Sequence, residues 1–139
     1  MTINEIQDEV IEEFIELEDW MDRYQLLIDL GEEQTPLPEA DKVDKNLIDG
    51  CQSRVWLVCE QQGDKLHFRA ESDALIVKGI VSLLLRVVND QPASDILNAD
   101  LYFIEKVGLT EHLSPTRSNG LLAMIKQIKM YALAVSVQA

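Results

Sequence analysis

Few residues in this chain could do covalent chemistry. The nucleophile candidates are Cys51 and Cys59, and the imidazoles are His67 and His112. Cys51 sits in Asp49-Gly50-Cys51-Gln52-Ser53-Arg54. A glycine beside the thiol lets a partner backbone come close and lets the loop move. The polar neighbours Gln52 and Ser53 place this loop at the surface. A cysteine nucleophile works as the thiolate, which exposure and nearby positive charge favour, and Arg54 is a source of such charge. The competing reading is a small buried hydrophobe, which describes most free cysteines. Spacing alone leaves both readings open. Cys59 lies mid-strand beside Val58, on the face of Val55 and Leu57, and reads as a core cysteine.

Other chemistries find no support. Zinc sites are built from closed ligand sets with short hooks, and Cys51, Cys59, His67 and His112 form no local pair. An iron–sulfur cluster needs roughly three or four thiolates. His67 falls on the wet face of a strand, and His112 precedes Leu113-Ser114; both read as surface or capping residues. No phosphate loop, nucleophile elbow or HExxH pattern occurs. Arg117, in Ser114-Pro115-Thr116-Arg117-Ser118-Asn119-Gly120, falls in a first helical turn, where the macrodipole disfavours a cation. It either pairs with a nearby carboxylate or reaches a partner's anionic group through its planar fork.

Hydrophobic periodicity supplies the elements that would position these residues. Ile3, Ile6, Val10, Phe14 and Leu17 predict an amphipathic helix over 3–17. Trp20, Tyr24, Leu27 and Ile28 predict a second over 19–30, with Gly31 just past its end. Pro36 and Pro38 mark an extended connector. Residues 54–60 read as a central strand, 61–64 as a turn and 65–71 as a half-wet outer strand, with a short third strand over 46–48. Ser72 or Asp73 should cap a helix carrying Ile76, Val77, Ile80, Val81, Leu84, Leu85 and Val88. Gly79 inside it costs about 1 kcal/mol relative to alanine, which implies close packing against a neighbour. Short helices follow over 92–98 and 100–107, ended by Gly108. Ser114-Pro115 opens a last helix to about residue 136, with Leu121, Leu122, Ile125, Ile128 and Leu133 expected in the core. The order predicts one α+β domain over 1–139, with two layers: helices packed on a small antiparallel sheet.

The 139 residues suit a single domain, which typically holds about 100–150. The net charge of −13 is uneven: residues 1–41 hold 14 acidic side chains against Arg23 alone, and residues 42–139 balance at 11 of each sign. That field disfavours nucleic acid and anionic membranes as partners. No stretch is expected to match a membrane span. Met1-Thr2-Ile3-Asn4-Glu5 lacks the basic and apolar regions of a secretory signal, and two cysteines without CxxC spacing suit a reducing compartment. A cytoplasmic location is the expectation.

Three segments together resemble the SufE family of sulfur acceptors. They are Gly50-Cys51-Gln52-Ser53-Arg54-Val55-Trp56, Glu71-Ser72-Asp73-Ala74-Leu75-Ile76-Val77-Lys78-Gly79 and Leu113-Ser114-Pro115-Thr116-Arg117-Ser118-Asn119-Gly120. Trp20, Tyr24 and Leu30-Gly31 also match its pattern, and Gln52-Ser53 resembles the SufE branch more than the related CsdE. The resemblance implies a curved antiparallel sheet packed by helices, as in IscU-type scaffolds, and a role in iron–sulfur cluster assembly. It implies that Cys51 takes sulfur as a persulfide from a SufS-like cysteine desulfurase, stimulates that enzyme and passes sulfur to a SufBCD-like scaffold complex. Pyridoxal phosphate would belong to the desulfurase; this chain would carry no cofactor or metal beyond the transient persulfide. Gly50, Gln52, Asp73 and Arg117 would meet the partner, with Arg117 at the docking contact and Asp73 beside the cysteine loop. Arg54 stands where the family often has glutamine. The expected state is monomer or homodimer. Two other readings compete: a non-catalytic acidic adaptor binding a basic partner through residues 1–41, and a thiol redox sensor, for which Cys59 is a poor resolving thiol.

Overall fold

The acidic N-terminal segment forms two helices, α1 (Ile3–Ile15) and α2 (Trp20–Glu33). Thr2 and Glu5 make a reciprocal capping box at the start of α1, and the Asp19 carboxylate caps α2 through the Met21 amide. Ile3, Val10 and Phe14 are buried while the glutamates between them face water. The computed structural model describes residues 1–50, 53–113 and 115–138; inside its helices the side chains of residues 110, 112, 115–117 and 138 fall outside that description.

After two short 3-10 turns at Glu39–Asp41 and Asp44–Asn46 come β1 (Val55–Gln62) and β2 (Lys65–Ser72), an antiparallel hairpin turned at Gly63-Asp64. Helix α3 (Leu75–Val88), the two-residue β3 (Gln91–Pro92), and helices α4 (Ala93–Asn98), α5 (Phe103–Val107), α6 (Leu109–His112) and α7 (Pro115–Gln138) complete the chain. The sheet order is β1-β2-β3, so β2 is central and β1 lies at an edge, the reverse of the expected arrangement. β1 carries buried apolar residues on both faces, Val55 and Leu57 on one and Trp56 on the other, and Leu47 forms a single bridge to Trp56. That bridge is all that appears of the third strand expected over 46–48. The connector is held by Gln34 Nε2 donating to the Ala70 carbonyl, by the Leu37 amide donating to Glu71, and by Lys42 paired with Glu71 at 2.6 Å. The class is α+β, with helices packed on a small antiparallel sheet.

α3 is the central helix. Val77, Ile80, Val81, Leu84 and Val88 are buried between α2 and β2. The close packing expected at Gly79 is present: a Cβ on Gly79 would overlap the Leu27 carbonyl of α2. Gly31 serves the same crossing from the other side, since a Cβ there would lie 2.8 Å from Lys78 Cβ. Gly31 therefore sits inside α2, not past its end; it is chosen for close approach, not for a left-handed turn. Gly108, in contrast, adopts φ +91° and stops α5 as expected.

α7 differs from its expected packing. Leu121, Met124, Ile128 and Ala132 form its buried stripe. Leu122 and Leu133, expected in the core, are 64% and 49% exposed. Leu122 follows Leu121 by one residue, about 100° around the helix, and so turns out of the core. Residues Ser118–Val137 are also long and apolar enough, by length and composition, to cross a membrane, contrary to expectation. In the fold, α7 packs on α4, and Lys129 donates to the carbonyls of Leu97 and Ala99 at 3.3 and 2.6 Å, closing the end of α4.

Candidate functional site

The segment that carries Cys51 is bounded on both sides by hydrogen-bonded backbone. On one side the Ile48 amide donates to the Val55 carbonyl at 2.9 Å. On the other, the Arg54 amide donates to Asp73 Oδ1 at 3.0 Å, and the Asp73 amide donates back to the Arg54 carbonyl at 3.3 Å. Asp73 therefore ties the loop's exit to the start of α3. It does not cap that helix, as was expected of Ser72 or Asp73. The N-cap position belongs to Ala74, which makes no side-chain cap, and the buried Ser72 hydroxyl accepts the Ala74 amide at 3.3 Å. The register of β1 and β2 explains this. Val55 pairs with Ser72, so the residues just beyond that pair, Arg54 and Asp73, face each other.

Gly50 is exposed and adopts φ +93°, a conformation that costs glycine little and other residues much. A Cβ built on it would reach Ala123 Cβ of α7 at 3.4 Å. The loop thus lies against α7 on its entry side and is tied to α3 on its exit side. Cys51 and Gln52 themselves lie outside the described residues, as does Ser114. Arg117 falls in the first turn of α7, as expected, and its side chain is outside the description. Of the sequence candidates, the structure brings Gly50 and Asp73 to the two ends of one loop. It also places Leu75 beside them, 58% exposed at the first position of α3. Leu75 was not among the sequence candidates; its one available signal was an apolar residue next to a charged turn.

Cys59 occupies a different environment. It pairs with Phe68 in the strand register and is half-buried against the core. Burial, with a smaller push from Glu60, raises its thiol to about 11. Tyr131 of α7 is raised too, by burial and by the neighbouring Cys59, and its ring meets Phe68 edge-on at 6.2 Å. At neutral pH Cys59 is a protonated, poorly nucleophilic thiol. His67 lies 3.1 Å from the Asp90 carboxylate, and Arg69 is shared between Glu60 and Asp41. Among the described residues no group of three or more His, Cys, Asp or Glu side chains is placed to hold a metal.

The fold and this loop define a class: small α+β domains in which a short cysteine-bearing loop is held between a sheet edge and two helices. The model of the SufE family, described as an Fe–S metabolism associated domain, matches residues 8–132. The chain belongs to the SufE family. It is 42% identical over 130 residues to an uncharacterized SufE-like protein of Rhizobium meliloti (strain 1021), covering 90% of this chain and 93% of that one. It is likewise 42% identical over 127 residues to an uncharacterized SufE-like protein of Rhizobium etli, covering 88% of this chain and 86% of that one. Among solved structures, the solution structure of a hypothetical protein from Thermus thermophilus superimposes with a TM-score of 0.77 at 20% identity, covering 95% of this chain and 96% of that one. That likeness concerns the fold. The family ties this domain to iron–sulfur metabolism.

Proposed function

We propose that this protein accepts sulfane sulfur on Cys51 from the persulfide of a cysteine desulfurase and delivers it to iron–sulfur assembly. The step is thiolate attack on a sulfur–sulfur bond, the persulfide counterpart of thiol–disulfide exchange. The Cys51 thiolate attacks the terminal sulfur of the donor persulfide. The donor's S–S bond breaks, a new one forms on Cys51, and the donor cysteine leaves as a thiolate. No net oxidation or reduction occurs, and no acid–base pair is required on this chain. Pyridoxal phosphate belongs to the desulfurase, and the sulfur goes on to a scaffold complex.

The observation that most supports this reading is the braced loop. Hydrogen bonds fix the backbone on each side of the cysteine, so the surface a partner would meet there is set in advance. Gly50 sits at positive φ immediately before the thiol, where a side chain would be strained. Cys59 supports the reading by contrast, since its raised thiol and strand position leave Cys51 as the reactive one. Arg117 in the first turn of α7 is proposed as a docking contact, with Gly50, Gln52 and Asp73 at the loop itself.

The test is stimulation of a cysteine desulfurase by variant proteins. Cys51→Ala is expected to abolish stimulation, and Cys59→Ala to retain most of it. Equal loss in both would sink the assignment.

A further inference from the structure

Beside the loop's contact on α7 runs a groove of about 480 Å³ between that helix and the segment from Ala99 to Glu105. Its walls are apolar: Ile104, Leu121 and Ile125 line it, and Leu122 stands at its edge 64% exposed. Leu122 thus carries the apolar wall of the groove out to the surface. The rim is acidic. Asp100 and Glu105 are both exposed, and among the described residues neither forms a salt bridge. The cation in the groove, Lys129, is turned to the carbonyls of Leu97 and Ala99 instead.

Placement on α7 gives the groove its meaning. Leu122 and Ala123 are consecutive, so they diverge by about 100° around the helix. Ala123 faces Gly50, where an added Cβ would come within 3.4 Å of it, and Leu122 borders the groove. The exposed Asn119 and Lys126 lie on the helix face between them. A protein that reaches across the first turns of α7 to the Cys51 loop therefore also covers Leu122 and the groove. A second copy of this chain is a poor occupant, because a symmetric contact here would set Asp100 and Glu105 of one copy against the same carboxylates of the other. The acidic rim suits a cationic neighbour.

We propose that the groove is the anchor site for the sulfur donor: an apolar side chain of the desulfurase, flanked by a basic residue, seats between Ile104 and Ile125 beside Leu122, with the basic residue at Glu105 and Asp100. This rests on the reading of Cys51 as sulfur acceptor, and it assigns a docking surface separate from the loop. The anchor sets how tightly the donor binds, while the loop sets whether sulfur moves.

The experiment titrates a cysteine desulfurase with each variant and reads both the half-saturating concentration and the sulfur on Cys51 by mass spectrometry. Leu122→Asp is expected to raise the half-saturating concentration about tenfold, in the range of a buried interface anchor. Cys51 should still gain sulfur at saturation. Glu105→Lys is expected to raise it about threefold, less so at high salt, as for a rim charge. Leu122 is exposed, so folding should survive its substitution, and circular dichroism checks this; the surface exchange at Glu105 provides a second variant. If the wild type gains no sulfur, the sulfur-acceptor reading fails first. If the wild type gains sulfur but Leu122→Asp leaves the half-saturating concentration unchanged, the groove proposal alone is overturned. Sedimentation equilibrium showing a wild-type dimer that Leu122→Asp dissociates, with stimulation unaffected, would give the groove to a second copy and overturn it as well.

Discussion

The two cysteine-bearing segments are only eight positions apart in sequence, yet the fold treats them oppositely. Around Cys59 the backbone belongs to the β1–β2 ladder, and the side chain lies near Phe68 and Tyr131. Around Cys51 the ladder has ended. The loop is held by the Ile48–Val55 bond at its entry and by Asp73 at its exit. The first environment protects a thiol by burying it and keeping it protonated. The second flanks a thiol with hydrogen-bonded backbone on both sides and a glycine at positive φ. On the proposed reading, the reactive thiol is the one that lies beyond the end of the ladder.

The contrast breaks most visibly at the support beneath it. Gly79→Ala would drive a methyl group into the Leu27 carbonyl, forcing α2 and α3 apart under the sheet. The expected loss is about 3 kcal/mol, the upper range for overpacking, read as a lower midpoint in urea unfolding. A loss below about 0.5 kcal/mol would mean that the crossing relaxes freely.

Sulfhydryl reactivity is the next largest effect. With its thiol near 11, Cys59 has roughly one part in a thousand as thiolate at pH 8. Its alkylation by iodoacetamide should accelerate about tenfold per pH unit until pH approaches 11. The sign follows from the raised pKa: deprotonation, and hence reactivity, is deferred to higher pH. A plateau already reached near the ordinary thiol range of about 8.5 would show that burial does not protect it.

The smallest expected effect concerns the loop's exit. Asp73→Ala removes the acceptor of the Arg54 amide, an exposed bond worth about 1 kcal/mol. Amide exchange at Arg54 should accelerate about fivefold, the equivalent of that energy, while that of Cys59 in β1 stays unchanged. Equal acceleration at both would mean that the loop and the strand open as one unit.

Local rules made part of this legible in advance. Gly79 and Gly108 were readable because one missing side chain had one steric consequence each. The helix and hairpin periods were readable because their apolar residues recur on one face. What failed depended on contacts between distant segments. Gly31 looked like a helix stop because it follows Leu30, but α3 passes over it and the helix continues. Leu122 and Leu133 looked like core because they are leucines in a helix, but α4 and the sheet take only the stripe through Leu121 and Ile128. Asp73 looked like a cap by its position before an apolar run; the strand register gave its carboxylate a closer donor in Arg54. At the candidate site, the motif around Gly50 and Cys51 was visible as a motif. The reciprocal bonds that hold its exit, and the groove beside Leu122, arise only when β1, β2, α3 and α7 meet.

The most direct test of the central claim is site-resolved mass spectrometry of the wild-type protein after incubation with a cysteine desulfurase and cysteine, quenched by alkylation. A gain of one sulfur atom is expected on the peptide containing Cys51 and none on the peptide containing Cys59. Sulfur on Cys59, or on neither peptide while the desulfurase turns over, would contradict it.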